Sequence, residues 1–222
     1  MNRTFTVAAI VAVIAFVAPA LAGCVTTTVN VTDRKPVTRP FSRILIFYLD
    51  EGCDFSLFDS TLYNICLRTH AFADSGYAGR SDRESVIADR LSTTGTEALV
   101  SSWYIDSAHS SYPAFRHYLD SMHVDGLLIV GARSYSHEEH TEQLPIVPST
   151  ARNPVELSVT HRYTSLNGTY LCDLFDTRSL VRPVWRAEIG EKGNGHSTRA
   201  GLAGKLVRQV AESLKSTQYI AH

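Results

Sequence analysis

Four consecutive side chains in the C-terminal half of the chain, His137, Glu138, Glu139 and His140, are all of types that bind metal ions. On a helix, His137 and His140 would share one face, and with a third ligand they could hold Zn²⁺. Their spacing does not match the zinc-peptidase motif H-E-x-x-H. Residues 134–148 also contain two prolines and mostly polar side chains, which favours a long solvent-exposed loop. A metal site is one hypothesis for this segment, and an exposed loop is the preferred one.

A second group of chemically capable side chains, Asp50, Glu51 and Asp54, follows the first apolar run of the chain. If that run is a parallel strand, the acidic residues lie at its carboxyl end, where ligands gather in parallel sheets. Acidic residues at such a position are also commonly just solvated, because position in a fold does not by itself establish function. Both interpretations remain open.

A glycine-rich segment near the C-terminus has some of the spacing of a phosphate-binding loop. It contains Gly190, Gly193 and Gly195, but His196 occupies the position where that motif needs a lysine for the β- and γ-phosphates. We therefore interpret it as a turn that leads into a helix, and we expect no nucleotide.

The N-terminal residues have the pattern of a bacterial export signal. Arg3 precedes an uncharged apolar run over residues 5–22, and Pro19 interrupts this run near its end. The run ends in Leu21-Ala22-Gly23-Cys24, which is an aliphatic residue, two small residues and a cysteine. This segment resembles the lipobox of bacterial lipoproteins at every position. The resemblance implies cleavage between Gly23 and Cys24, diacylglycerol on the Cys24 sulfur and an acyl group on the new amine.

The lipobox divides the chain into three parts. We expect residues 1–23 to be a signal peptide, residues 24–40 to be a flexible lipid-anchored tether, and residues 41–222 to be one periplasmic domain. Each buried methylene of a lipid contributes about 0.8 kcal/mol, so several acyl chains on one cysteine make a stable anchor. Val25 follows the cysteine, and by resemblance to the sorting of Gram-negative lipoproteins this implies the outer membrane. Retention in the inner membrane and display on the cell surface are the alternatives.

The charge of the mature chain indicates which classes of partner to expect. After removal of Arg3 with the signal, 20 basic residues face 22 acidic ones, and Lys and Arg form no run. Nucleic-acid binding is not expected, because it depends on a basic surface. We expect the membrane, reached through the lipid, and other envelope components as partners, and no cofactor besides the covalent lipid.

Besides Cys24, the mature chain contains three cysteines, namely Cys53, Cys66 and Cys172. Export would place them in an oxidising compartment, where one disulfide could form. If residues 54–66 are helical, Cys53 and Cys66 are nearly 20 Å apart at about 1.5 Å per residue, which is too far for a bridge. Residues 54–72 fit either a helix or a strand, so the pairing stays open, with a preference for no Cys53–Cys66 bridge.

The first part of the domain alternates strands and helices. Apolar runs predict strands over Arg43–Asp50, Glu97–Ile105 and Leu127–Ala132. A capping box at Ser81–Glu84 predicts the start of a helix that ends at Gly95, and residues 112–122 predict another helix. Strand, helix, strand, helix, strand is the pattern of a parallel α/β layer.

The second part predicts antiparallel strands. Residues 155–163 alternate apolar and polar side chains, and Asn167-Gly168 follows as a hairpin signal. That turn would pair Tyr163 with Cys172 and Arg162 with Asp173. A strand over Val184–Ile189 and a helix from about Ser197 complete the domain. The expected fold class is α/β, with a mixed sheet, parallel in its N-terminal half and an antiparallel meander in its C-terminal half, flanked by helices in a single domain.

This layout, with strands at Tyr170-Leu171-Cys172-Asp173 and Val184-Trp185-Arg186-Ala187, resembles small periplasmic lipoprotein domains. These are the curli secretion lipoprotein, penicillin-binding-protein activators and the N-terminal domain of the Tol system's propeller protein. The resemblance implies a non-enzymatic accessory or assembly protein that binds envelope proteins or peptidoglycan. The alternative is a periplasmic metal- or small-molecule-binding protein, including a hydrolase, built on His137 and His140 or on Asp50 and Asp54.

Overall fold

The computed structural model describes residues 26–49, 58–71, 77–105, 111–146, 157–193 and 199–220. Along this part of the chain the strands and helices alternate irregularly. In order they are β1 (Thr26–Arg34), β2 (Arg43–Leu49), α1 (Ser60–Ala71), α2 (Tyr77–Ser92), β3 (Glu97–Val100), α3 (Ser101–Tyr104), α4 (Tyr112–Ser121), β4 (Gly126–Ile146), β5 (Leu157–Asp176), β6 (Trp185–Lys192) and α5 (Arg199–Ser216).

The strands form one mixed six-stranded sheet in the order β1-β6-β5-β4-β2-β3. β2 runs parallel to β3 and to β4, whereas the pairs β4–β5, β5–β6 and β6–β1 are antiparallel. This confirms the predicted α/β class with a parallel and an antiparallel part. Among the helices of the described ranges, none is long and apolar enough to cross a membrane.

Helices cover both faces of the parallel part. Ile44, Ile46 and Tyr48 of β2 face a core that α2 and α5 complete, and the alternate residues Leu45 and Phe47 face a second core. α1 and α4 cover the second core. β2 is buried almost throughout because it is flanked by strands on both edges and by helices on both faces.

The antiparallel part corrects the prediction of a flexible tether over residues 24–40. Thr26–Arg34 form β1, which pairs with β6 from Thr26↔Lys192 to Arg34↔Trp185. Thr and Val dominate this segment and suit an extended backbone. The sequence of this segment has the pattern of a linker because β1 is an edge strand whose residues are mostly exposed or half-buried.

The predicted hairpin turn at Asn167-Gly168 is wrong, because both residues lie within β5. They pair with Ser136 and Tyr135 of β4. Gly168 has a different function: a Cβ atom at this position would come within 3.0 Å of the Tyr170 ring, so glycine lets that ring lie close to the strand. Of the two predicted cross-strand pairs, Arg162 instead faces Thr141 and Cys172 lies between Val130 and Ala187.

The exposed loop predicted over residues 134–148 is also wrong as far as Ile146, since β4 continues to that residue. Its backbone pairs with β5, whereas most of its described side chains, including His137 and Glu139, remain exposed.

Two smaller predictions are corrected as well. The predicted strand Glu97–Ile105 ends at Val100 and turns into α3. α2 begins at Tyr77, ahead of the predicted capping box, so Glu84 lies inside the helix and is fully buried.

Of the ambiguous segment 54–72, Ser60–Ala71 is helical and contains Cys66. Cys66 and Cys172 are both buried, and the preference for no Cys53–Cys66 bridge stays a prediction. Cys53 lies outside the described residues.

Candidate functional site

β4 and β5 extend well beyond the rest of the sheet. β2 accompanies β4 only as far as Gly131, and β6 accompanies β5 only between Leu174 and Asn167. Beyond these points, residues 137–146 and 157–166 pair with each other and with no further strand of the described chain. We call this two-stranded projection the ribbon.

A group of polar side chains lies where the ribbon leaves the sheet, and we call it the ribbon-base cluster. Its centre is the Glu138 carboxylate, which lies 3.1 Å from Lys192 Nζ and 3.7 Å from His140 Nε2. Asn167 Nδ2 donates a hydrogen bond to the same carboxylate at 3.4 Å. His140 Nε2 also lies 2.8 Å from Ser165 Oγ. The cluster therefore joins β4, β5 and β6.

The electrostatics of the cluster favour the charged form of Glu138. The hydrogen bond from Lys192 is the largest cause that lowers the pKa of Glu138, followed by the hydrogen bond from Asn167. The side chain is exposed, so water screens these interactions. The cluster fixes the geometry of the ribbon base more than it stabilises the fold.

Ser165, His140 and Glu138 are the residue types of a hydrolytic triad, but their geometry differs from that of a triad. A triad joins the nucleophile and the acid through different nitrogens of the imidazole ring. Here the serine and the carboxylate both face Nε2 of His140. Ser165 is also only 1% exposed, so a substrate has little access to its hydroxyl. This arrangement positions strands and does not prepare a nucleophile.

The four residues of the predicted metal site separate into two pairs. They lie on a strand rather than a helix, so His137 and Glu139 project from one face of β4 and Glu138 and His140 from the other. His137 is opposite Leu166 and is exposed. The structure does not bring the two imidazoles together, and nowhere in the described ranges do three or more His, Cys, Asp or Glu side chains form a group that could hold a metal ion.

The remaining predicted site residues fall elsewhere. Gly23, Cys24, Asp50, Glu51 and Asp54 lie outside the described residues. Of the glycine-rich segment, Gly190 belongs to β6, where an added Cβ would meet Thr28 Oγ1 at 2.8 Å. This glycine allows β1 to approach β6, which is a structural function.

Glu191 is a feature that the sequence analysis missed. It is 2% exposed, and no side chain of the described chain donates a hydrogen bond to its carboxylate. Burial raises the pKa of Glu191 to about 8, and the charge of Lys205 and the Leu206 amide offset only part of that effect. The sequence does contain a signal for this burial. Glu191 continues the two-residue period of buried side chains on β6, which are Trp185, Ala187 and Ile189.

Glu84 is a second buried carboxylate, and its oxygen atoms accept hydrogen bonds. It accepts hydrogen bonds from Tyr48 N at 3.0 Å, Ser101 Oγ at 2.8 Å and Ser102 N at 3.0 Å. It thereby joins α2 to β2 and to the start of α3. These contacts span three elements, so local sequence gives no signal for them.

A groove with a volume of about 680 Å³ lies at the opposite end of the sheet from the ribbon. Its walls are the segment after β1 and the turn after α5, and they include Arg34, Lys35, Arg39, Gln218 and Tyr219. The Tyr219 hydroxyl donates to Lys35 O at 2.6 Å, which ties the two walls together.

Comparisons with known proteins give only distant likeness. No protein-family model and no curated sequence matches this chain. Two structures of the PelC dodecamer from Paraburkholderia phytofirmans are 14% identical and cover 89% of this chain, with TM-scores of 0.47 and 0.46; they are matched over 100% and 99% of their own length. Lipoprotein GNA1162 from Neisseria meningitidis is 12% identical, with 79% of this chain and 99% of that chain covered and a TM-score of 0.41. Likeness at this level does not extend to function.

Proposed function

We propose that this protein is a lipid-anchored component of the cell envelope, held on the periplasmic face of the outer membrane. It works by binding other envelope proteins or peptidoglycan and not by catalysing a reaction. The lipobox sequence at residues 21–24 is the basis for the anchor.

The observation that carries the binding function is the amount of unpaired strand edge. β1 is nine residues long and forms one edge of the sheet. Within the described chain, both outer edges of the ribbon also lack a partner strand. Unpaired backbone N–H and C=O groups on such edges bind extended segments of other proteins by adding a strand.

The composition of β1 suits this function. Charged residues that would discourage strand addition are confined to Asp33 and Arg34 at its end, and the rest is Thr, Val and Asn. Anchoring near the start of β1 would also hold this edge at a fixed distance from the membrane. A partner in the same membrane would meet it at high local concentration.

Site-specific photocrosslinking in living cells tests this proposal. A photoreactive amino acid replaces Asn30, which is exposed on β1, and in a matched control it replaces Asp89, which is exposed on α2. We expect Asn30 to form a discrete adduct with an envelope protein or with peptidoglycan, and Asp89 to form much less of it. Absence of adducts from Asn30 and from Thr141 on the ribbon would contradict a binding function.

A further inference from the structure

The register of the antiparallel strands shows which end of the sheet the lipid would occupy. Thr26, Lys192, Asn167 and Ser136 form one row across β1, β6, β5 and β4. β1 begins in this row, so the residues that precede it are connected to the sheet at this end. The ribbon leaves the sheet from the same row.

Cys24 is only two residues before Thr26. Because consecutive Cα atoms are about 3.8 Å apart, the lipidated cysteine would lie within about 8 Å of the start of β1. At a strand spacing of about 4.8 Å, the two strands of the ribbon are about 10 and 14 Å from β1 across the sheet. The anchor and the base of the ribbon are therefore neighbours.

The ribbon is long enough to reach beyond the anchor. Its ten residues after the row, His137–Ile146, span about 33 Å at roughly 3.3 Å per residue. This is comparable to the thickness of the hydrocarbon core of a bilayer, about 30 Å. Each headgroup layer is much thinner than this length, so a ribbon that starts beside the anchor stays at the membrane surface only if it runs along that surface.

We propose that the ribbon is a membrane-contacting element that lies among the lipid headgroups beside the acylated cysteine. This inference rests on the proposed lipid anchor. The edges of the ribbon pair with no further strand of the described chain. This keeps the ribbon out of the hydrocarbon, where each unsatisfied backbone group is costly, whereas water and headgroups satisfy these groups at the interface. Its charged residues, including Glu138, Glu139 and Arg162, are likewise compatible with the headgroup layer.

The composition of the ribbon changes along its length in the way this orientation requires. The ribbon-base cluster is polar, whereas the register near the far end sets Leu144 opposite Val159 and Ile146 opposite Leu157. Apolar residues of an interfacial segment gain from burial at the boundary between headgroups and acyl chains. The groove lies at the other end of the sheet, away from the anchor.

Fluorescence quenching in vesicles tests the orientation. Thr164→Cys places an environment-sensitive dye on the ribbon, and Thr38→Cys places it at the groove end; both sites are exposed. Both variants carry Cys53→Ser, and the buried Cys66 and Cys172 are protected from the dye. The full lipidated protein is reconstituted into phosphatidylethanolamine–phosphatidylglycerol vesicles that contain lipids with nitroxide near the headgroup.

We expect the dye at position 164 to lose about half of its emission to the nitroxide and the dye at position 38 to lose little. Equal and weak quenching at both positions in protein that floats with vesicles and carries lipid by mass spectrometry would overturn the ribbon contact and leave the proposed anchor intact. Stronger quenching at position 38 would overturn it by reversing the orientation. A chain without lipid on Cys24 would overturn both proposals, and mass spectrometry identifies that outcome separately.

Discussion

The two halves of the sheet are built differently. In the parallel half, β2 is buried on both faces beneath two layers of helices, and almost every side chain belongs to a core. In the antiparallel half, β6 alternates buried and half-buried residues and β1 is largely exposed. This difference indicates that the two cores around β2 stabilise the parallel half, whereas β1 and the ribbon in the antiparallel half keep edges and polar surface available for partners.

The largest expected effect compares a core residue of β2 with an exposed residue of β1. Phe47 is fully buried, and its ring packs edge-on against the ring of Phe115, with 6.0 Å between the ring centroids. Phe47→Ala should lower the free energy of unfolding by about 3–5 kcal/mol, because it removes buried apolar surface and leaves a cavity. Val31→Ala, at a site that is 39% exposed, should change it by less than about 0.5 kcal/mol. Urea unfolding of the soluble domain measures both, and similar losses would contradict the stabilising role of the cores around β2.

The next comparison lies within β6, between a buried and an exposed ion pair. Arg186 binds the fully buried Asp173 through two hydrogen bonds of 2.7 and 2.9 Å, whereas Glu188 pairs with Arg133 at 3.3 Å near the surface. Asp173→Ala should cost about 2–4 kcal/mol, somewhat below a fully buried pair because Arg186 reaches solvent. Glu188→Ala should cost under about 1 kcal/mol. Thermal unfolding of both variants measures this difference. Equal melting temperatures would contradict the distinction between the buried and the exposed ion pair.

Glu191 should make the stability of the antiparallel half depend on pH. Its pKa is raised from 4.5 to about 8 in the folded protein. Between these values the folded protein keeps the proton and the unfolded chain releases it, so stability falls as pH rises. Glu191→Gln should match the parent near pH 5 and exceed it at pH 8.5, by a few kcal/mol at most. Unfolding curves across this range provide the measurement, and parallel pH profiles for the two proteins would rule out the effect.

The smallest effect concerns the ends of two helices, one from each core. Gln218 after α5 and His123 after α4 both have positive φ angles, 64° and 53°. At each end the following amide bonds back to the helix, from Tyr219 to Leu214 O and from Val124 to Leu119 O, as in a Schellman cap. Gln218→Gly and His123→Gly should each stabilise the protein by about 0.5–1 kcal/mol, because glycine adopts this conformation without strain. Loss of stability in either variant, measured by chemical unfolding, would point to side-chain contacts that outweigh the backbone.

The sequence predicted the parallel half better than the antiparallel half. The strand at residue 43, the helix at residue 112 and the strand at residue 127 were predicted because their residues form compact apolar runs or one apolar face. Gly95, at the predicted end of a helix, indeed has a φ of 80°. In the antiparallel half, Asn167-Gly168 and residues 134–148 misled the prediction, since local turn signals cannot report that a distant strand pairs with them.

The candidate site was predicted even less well. The sequence placed His140 and Glu138 in one short segment but could not associate them with Ser165, Asn167 or Lys192, which reach them only through strand register. Likewise Glu84 had the pattern of a helix cap, yet it bonds to β2 and α3 inside the core.

The amino-acid sequence by itself determined the lipobox prediction, the alternation of strands and helices, and the two-faced burial of β2, because short-range side-chain patterns encode all three. Tertiary structure alone decided that residues 26–34 join the sheet, that β4 and β5 extend into a ribbon, and that Glu191 is buried. Each of these depends on hydrogen-bond pairing or packing between residues far apart in the chain, and the free energy of such contacts appears only when the chain has folded.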